Sequence, residues 1–178
     1  MARAEKMKYL CFYSLRLLFP FVFSMLFMGL THSGTEEVLP EQEEIDSIVI
    51  GEEPEGVLFV VMEQDEEALQ WVLPRILHYT RQLRGAWEDL PIAVVSHGEE
   101  MLGLLTELSG LYPQVHENLR LLVNHYDVAF HVCGSFASLS DVDASEFPDY
   151  VDVVSFGPAQ IANYCQLGFI LVSIELTW

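Results

Sequence analysis

The sequence predicts a three-layer α/β/α sandwich built on a mostly parallel sheet of about five strands, and two observations carry that prediction. From Val57 onward, short β-branched apolar runs alternate with longer stretches whose apolar residues recur at helical spacing. The strand-like runs are apolar throughout rather than alternating, which is the pattern of strands covered on both faces. Composition agrees, because 51% of the residues are hydrophobic, enough for a core even though 27 acids face only 8 basic residues. At roughly 100–200 residues per domain, the 178 residues hold one domain with additional segments.

Each element can be taken in order. Val57-Leu58-Phe59-Val60-Val61-Met62 reads as the first strand. Residues 66–84 follow as an amphipathic helix with Leu69, Val72, Leu73, Ile76, Leu77, Tyr79 and Leu83 inward, and Pro74 predicts a kink or a broken first turn in it. Pro91-Ile92-Ala93-Val94-Val95-Ser96 is the second strand. Helices over 99–108 and 113–124 come next, the latter turning Val115, Leu119, Leu122 and Val123 inward. Residues 127–133 form the third strand, 151–155 the fourth, 158–167 a helix and 169–176 the fifth strand. No internal repeat is visible.

Before this domain, residues 1–34 begin with Arg3, Lys6 and Lys8 and continue into an apolar run from Leu17 to Leu30. A basic start, an apolar run shorter than the roughly 20 residues that span a bilayer, and the small or polar Thr31-His32-Ser33-Gly34 together read as a secretory signal peptide. An uncleaved signal anchor is the alternative, because Arg16 interrupts the apolar stretch and no A-x-A site stands out. The expected location is periplasmic or secreted, or anchored to a membrane through this segment alone and facing outward. Residues 35–56 carry nine acids and two prolines, the composition of an extended, self-repelling acidic linker. Within it, Ile48-Val49-Ile50 is an apolar island that would either dock on an edge strand or belong to a disordered tether.

Charge excludes one class of partner. The formal net charge is -19, and after residue 34 the chain contains no lysine and only Arg75, Arg81, Arg84 and Arg120 as basic residues. Phosphate backbones are bound chiefly by Lys and Arg, so nucleic acid is excluded as a partner. The acidic exterior reads as a solvating surface, with life in high salt or on a like-charged surface as the alternative. Three cysteines make neither a disulfide scaffold nor a four-cysteine zinc site.

In open parallel sheets, reactive side chains gather at the carboxyl ends of the strands. Those ends are Glu63-Gln64-Asp65, Ser96-His97-Gly98, Cys133-Gly134-Ser135 and Ser155-Phe156-Gly157. Cys133 is the leading candidate, since it ends a strand and precedes a glycine and a loop of small polar residues in which backbone N–H groups or an imidazole can activate a thiol. His131, two residues earlier on the same strand face, and His97 at the end of a neighbouring strand are the two imidazoles placed to lower its pKa. Gly98, Gly134, Ser135 and Gly157 are the small rim residues that would line a substrate subsite. Against a reactive role, buried cysteine is a common core residue and few cations are present to stabilise a thiolate.

Cys165 sits one turn beyond Ile161 on a core-like helix face; packing is its first reading, and a resolving thiol or disulfide partner for Cys133 its second. The histidines at 78, 97, 116, 125 and 131 lack a metalloprotease-type spacing. His97, His131 and Cys133 form at best a weak zinc or copper set, and the site is read as holding no metal and no cofactor. His78, His116 and His125 read as surface or loop residues. Asp65 and Glu66 suit the first turn of a helix. Neither a phosphate-binding glycine loop nor a serine nucleophile elbow is present.

Taken in order, the rim segments resemble the DsrE/DsrF-like family, in particular its small stand-alone members, over residues 57–178. The resemblance rests on the apolar first strand, on Val94-Val95-Ser96-His97-Gly98 and on Val128-Ala129-Phe130-His131-Val132-Cys133-Gly134. It continues through Val151-Asp152-Val153-Val154-Ser155-Phe156-Gly157 and a helix closing in Gln166-Leu167-Gly168-Phe169. It departs from the family pattern at Gly134-Ser135-Phe136 and at Cys165. The resemblance implies an α/β/α fold, a homo-oligomer such as a trimer or hexamer, and a rim cysteine, here Cys133, that carries a persulfide between a sulfur donor and a sulfur acceptor protein. Two functions are therefore expected: a sulfur carrier acting through Cys133, His97 and His131, or a noncatalytic exported binding or structural module in which Cys133 is buried.

Overall fold

Apolar runs this short bury both faces only when helices cover both sides of the sheet they form. The computed structural model describes residues 39–176, and in it five such runs form one parallel sheet. The strands are β1 (Val57–Val61), β2 (Ile92–Ser96), β3 (Ala129–Cys133), β4 (Asp152–Val154) and β5 (Ile170–Ile174), in the order β4-β3-β2-β1-β5. Register aligns their carboxyl ends: Val61 pairs with Ser96 on one side and Ile174 on the other, Ser96 with Val132, and Cys133 with Val154. The α/β class and the parallel sheet are as the sequence predicts.

Alternate side chains feed two unequal cores. Val57, Phe59, Val61, Val94, Phe130, Val132 and Val172 face the larger one, with α2 (Leu69–Ala86) and α3 (Pro113–Arg120). Each fully buried side chain of this kind contributes about 1.5–3 kcal/mol relative to exposure. Leu58, Ala93 and Val95 face the smaller core, covered by α5 (Gly157–Gln166) through Ile161, with Tyr164, Phe169 and Leu171 packed around it. A six-residue helix, α4 (Gly134–Leu139), leads directly out of β3.

The expected extended acidic linker is in part a helix. Residues Pro40–Ile50 form α1, with Pro40 in the first turn, where its missing N–H costs nothing, and Glu41 and Glu43 beside the positive end of the helix dipole. Ile45 (0% exposed) and Ile48 (7%) join the larger core against α2 and β5. Glu41 is buried on the same side and pairs with Arg75 Nη1 at 3.2 Å. The Ile45-x-x-Ile48 spacing puts both residues on one helical face; nine acids around it made the segment look solvated. The sequence's signal segment lies outside the described residues, and among those residues no helix is long and apolar enough to cross a membrane.

Four local features depart from the sequence reading. The expected helix over 99–108 is a pair of 3₁₀ segments, Glu99–Leu104 and Thr106–Gly110, in a stretch where Gly103 and Gly110 are poor helix formers and the Glu100 side chain turns inward. The helix expected over 113–124 is α through Arg120 and widens to a π turn at Leu121–His125. α2 continues through Pro74 in its second turn, beginning at Leu69 rather than at 66. His116, expected at the surface, is only 2% exposed on α3 between Val115 and Leu119.

Candidate functional site

Cys133 is the last residue of β3 and immediately precedes α4, so its side chain stands at the carboxyl rim of the sheet. It is a free thiol, 3% exposed. Its Sγ lies 3.1 Å from the Ser135 hydroxyl, and the Gly157 N–H, the first of α5, donates to it at 3.2 Å. Burial alone pushes the thiol pKa up. The Ser135 hydroxyl and the N–H groups of Gly157, Phe136 and Ser135 outweigh burial and hold the thiol below its ordinary value. Neutral dipoles, rather than a cation, thus favour the thiolate.

Two glycines make this packing feasible. A Cβ on Gly157 would lie 2.9 Å from the His97 Cβ, 3.2 Å from the Cys133 Cβ and 3.4 Å from its Sγ, so only glycine lets β2, β3 and the start of α5 meet. Gly98 likewise sits against the Glu63 backbone, leaving no room for a side chain where the β1 and β2 ends touch.

The two predicted imidazoles differ in placement. His97 does converge on Cys133 through Gly157, and burial lowers its pKa, which keeps the ring neutral near pH 7. His131 does not serve the thiol. Its Nδ1 is 2.8 Å from Asp152 Oδ2 and its Nε2 2.8 Å from the Tyr164 hydroxyl, so both ring nitrogens are engaged by β4 and α5 rather than by the thiol. At about 3.3 Å rise per residue, side chains two apart on a strand are over 6 Å from each other, and a shared face does not bring them into contact. Gly134 and Ser135 border the thiol, whereas Gly98 belongs to the β1–β2 junction.

One rim residue that sequence reasoning missed is Glu100. It is fully buried and accepts hydrogen bonds from the Ser96 hydroxyl (2.7 Å), the Gly98 N–H (3.1 Å) and the Glu63 N–H (2.8 Å). Burial raises its pKa, and those three donors oppose the rise. The carboxylate clamps the ends of β1 and β2 and so fixes the backbone on either side of His97. Glu63 in turn accepts the Leu176 N–H at 2.7 Å, extending the clamp to the chain beyond β5. The adjacent acids at 99 and 100 resemble an ordinary solvated helix start; the signal was their position directly after a strand-ending Ser-His-Gly.

Along the same rim, Met62 (66% exposed) follows β1 and Phe156 (53%), next to Gly157, follows β4. Among the described residues, no group of three or more His, Cys, Asp or Glu is placed to hold a metal ion. Cys165 lies half-buried on α5 beside the smaller core.

Comparison with known proteins places the fold and stops there. The chain is similar to a solved structure of a protein of unknown function, MTH1491 from Methanobacterium thermoautotrophicum: 23% identity, TM-score 0.52, covering 66% of this chain and 97% of that one. A second, BT1422 from Bacteroides thetaiotaomicron, also of unknown function, is 16% identical with a TM-score of 0.45, covering 66% of this chain and 94% of that one. No family model matches the chain, and no curated protein does. A fold shared with MTH1491 is thus what the comparisons support.

Proposed function

We propose that the protein handles sulfur, accepting sulfane sulfur as a persulfide on Cys133 and passing it on, as its resemblance to the DsrE/DsrF-like family suggests. The observation that carries this reading is the free Cys133 thiol, held below its ordinary pKa by four hydrogen-bond donors at the rim of the sheet. The Cys133 thiolate attacks the outer sulfur of a donor persulfide, R–S–SH. A new S–S bond forms to Sγ, the donor's S–S bond breaks, and R–S⁻ leaves. Attack by an acceptor thiolate on the outer sulfur of the Cys133 persulfide reverses the step, so no external oxidant, metal or cofactor is required. His97, neutral and beside Gly157, takes up the thiol proton, and Ser135 with the Gly157 N–H holds the sulfur anion. His131 drops out of this role.

The proposal includes a homo-oligomer, an exported chain and a protein donor or acceptor. Exposed Phe156, next in sequence to Gly157, gives such a partner an apolar foothold near the thiol. A second reading, a noncatalytic binding module with a buried cysteine, is favoured by the 3% exposure of Cys133. Timed alkylation of the native protein near pH 7 separates the two. Labelling of Cys133 faster than of an unperturbed thiol supports sulfur transfer; resistance until unfolding supports the binding module.

A further inference from the structure

At the opposite end of the strands from Cys133, a cleft of about 550 Å³ opens between the beginnings of β2, β3 and β4 and the end of α5. That volume lies in the range of about 300–1,000 Å³ usual for small-molecule sites. One wall is aromatic: Tyr164 and Phe169 pack with ring centroids 4.8 Å apart. Behind it, buried His131 holds Tyr164 and Asp152 in place through its two ring nitrogens, so the wall is braced by β3, β4 and α5 together.

The charged lining is mainly acidic. Asp89, Asp127 and Asp152 line the cleft, and only Asp152 has a side-chain partner among the described residues, its second oxygen remaining open. The one basic residue there, Arg84, is spent on backbone: Nη1 donates to the Glu88 carbonyl at 2.7 Å and Nη2 to the Tyr126 carbonyl at 2.9 Å. Tyr150 also lines the cleft, its hydroxyl buried behind the surface and without a hydrogen-bond partner among the described residues. Asp127 holds a left-handed backbone conformation (φ 52°), which turns the chain at the cleft's edge.

We propose that this cleft binds an organic cation, a primary amine carried on an apolar body. The ammonium would sit among Asp89, Asp127 and Asp152, and the apolar part would lie on Tyr164 and Phe169, where ring faces add cation–π attraction. Anions are disfavoured by the three carboxylates. This site is independent of the thiol chemistry and stands or falls without it.

Calorimetric titration of the full chain with phenethylamine, and in parallel with 3-phenylpropionate, tests the proposal. The expected result is one-site binding of the amine, no binding of the carboxylate, and at least a fivefold loss of amine affinity in an Asp89→Asn/Asp127→Asn double variant. These two side chains have no side-chain hydrogen bond or ion pair among the described residues, so the fold should tolerate the change, which circular dichroism would check. Equal binding of both probes, no binding of the amine, or an unchanged affinity in the folded variant would overturn it; the last would assign the heat to the general acidity of the surface.

Discussion

The Gly157 N–H donates to the Cys133 Sγ at 3.2 Å, joining the start of α5 to the end of β3 across 24 residues of sequence. A thiol in that position is capped by the helix as an anion would be. Because no cation is among the groups that act on the thiol, the stabilisation of a thiolate comes from such dipoles. The consequences are measurable.

Removing one donor should weaken the thiolate. In Ser135→Ala, the rate of Cys133 alkylation at pH 7 is expected to fall about four- to fifteenfold, because losing one hydrogen bond to a charged group costs about 1.5–3 kcal/mol and the higher thiol pKa returns roughly half of that as nucleophilicity. The pH at which the rate reaches half its maximum should move upward. An unchanged pH–rate profile would remove Ser135 from the site.

The acids at the rim should sort reagents by charge. Glu63, Asp65, Glu66, Glu67 and Glu99 occupy the loops that follow β1 and β2. Cystamine, a cationic disulfide, should react with Cys133 faster than an anionic aromatic disulfide once both rates are scaled to a free thiol. That preference should shrink between about 0.01 M and 1 M salt, over which the screening length falls from roughly 30 to 3 Å. A salt-independent ratio would mean that the loop acids are not near the approach path.

Glu100 makes a prediction with a definite sign. Its pKa is raised in the folded protein, so its protonated form contributes stability that is fully present below its unfolded value and is lost as the group ionises with pH rising through the folded value. Glu100→Gln removes that pH dependence and leaves the Glu63 N–H facing an amide that cannot accept from it in the same orientation, a cost of about 1–3 kcal/mol. The advantage of the wild type over the variant, measured by urea unfolding, should therefore be largest near pH 4.5 and decline toward pH 8. His97 is common to both proteins, and its own acid-side loss of stability cancels in the difference. A constant difference would place the Glu100 proton outside the folding equilibrium.

The first helix should belong to the core. Ile45→Ala should cost about 2–5 kcal/mol, whereas Ile50→Ala, at a residue 85% exposed, should stay within about 0.5 kcal/mol. Urea midpoints of the two variants check this; equal, small effects would return residues 40–50 to the status of a tether.

The sheet was legible because its central strands are apolar on both faces; strand order and register came from the structure. The position of Cys133 at the rim was legible for the same reason. Partners across elements were not. The shared strand face suggested His131 for the thiol, but pairing of His131 with Asp152 across β3 and β4, and the end of α5 carrying Tyr164, decide where that ring bonds. Glu100 and Ile45 were hidden in the opposite way, each set among acids whose abundance implied solvent, while one inward-facing side chain did the packing or clamping.

The central claim is that Cys133 carries sulfur, and intact mass spectrometry tests it most directly. The full-length protein would be weighed before and after exposure to glutathione persulfide, with peptide mapping and with Cys133→Ser in parallel. The expected result is a gain of one sulfur atom on Cys133, reversed by reductant and absent from the variant. No gain on the wild type, or the same gain on Cys133→Ser, would contradict it.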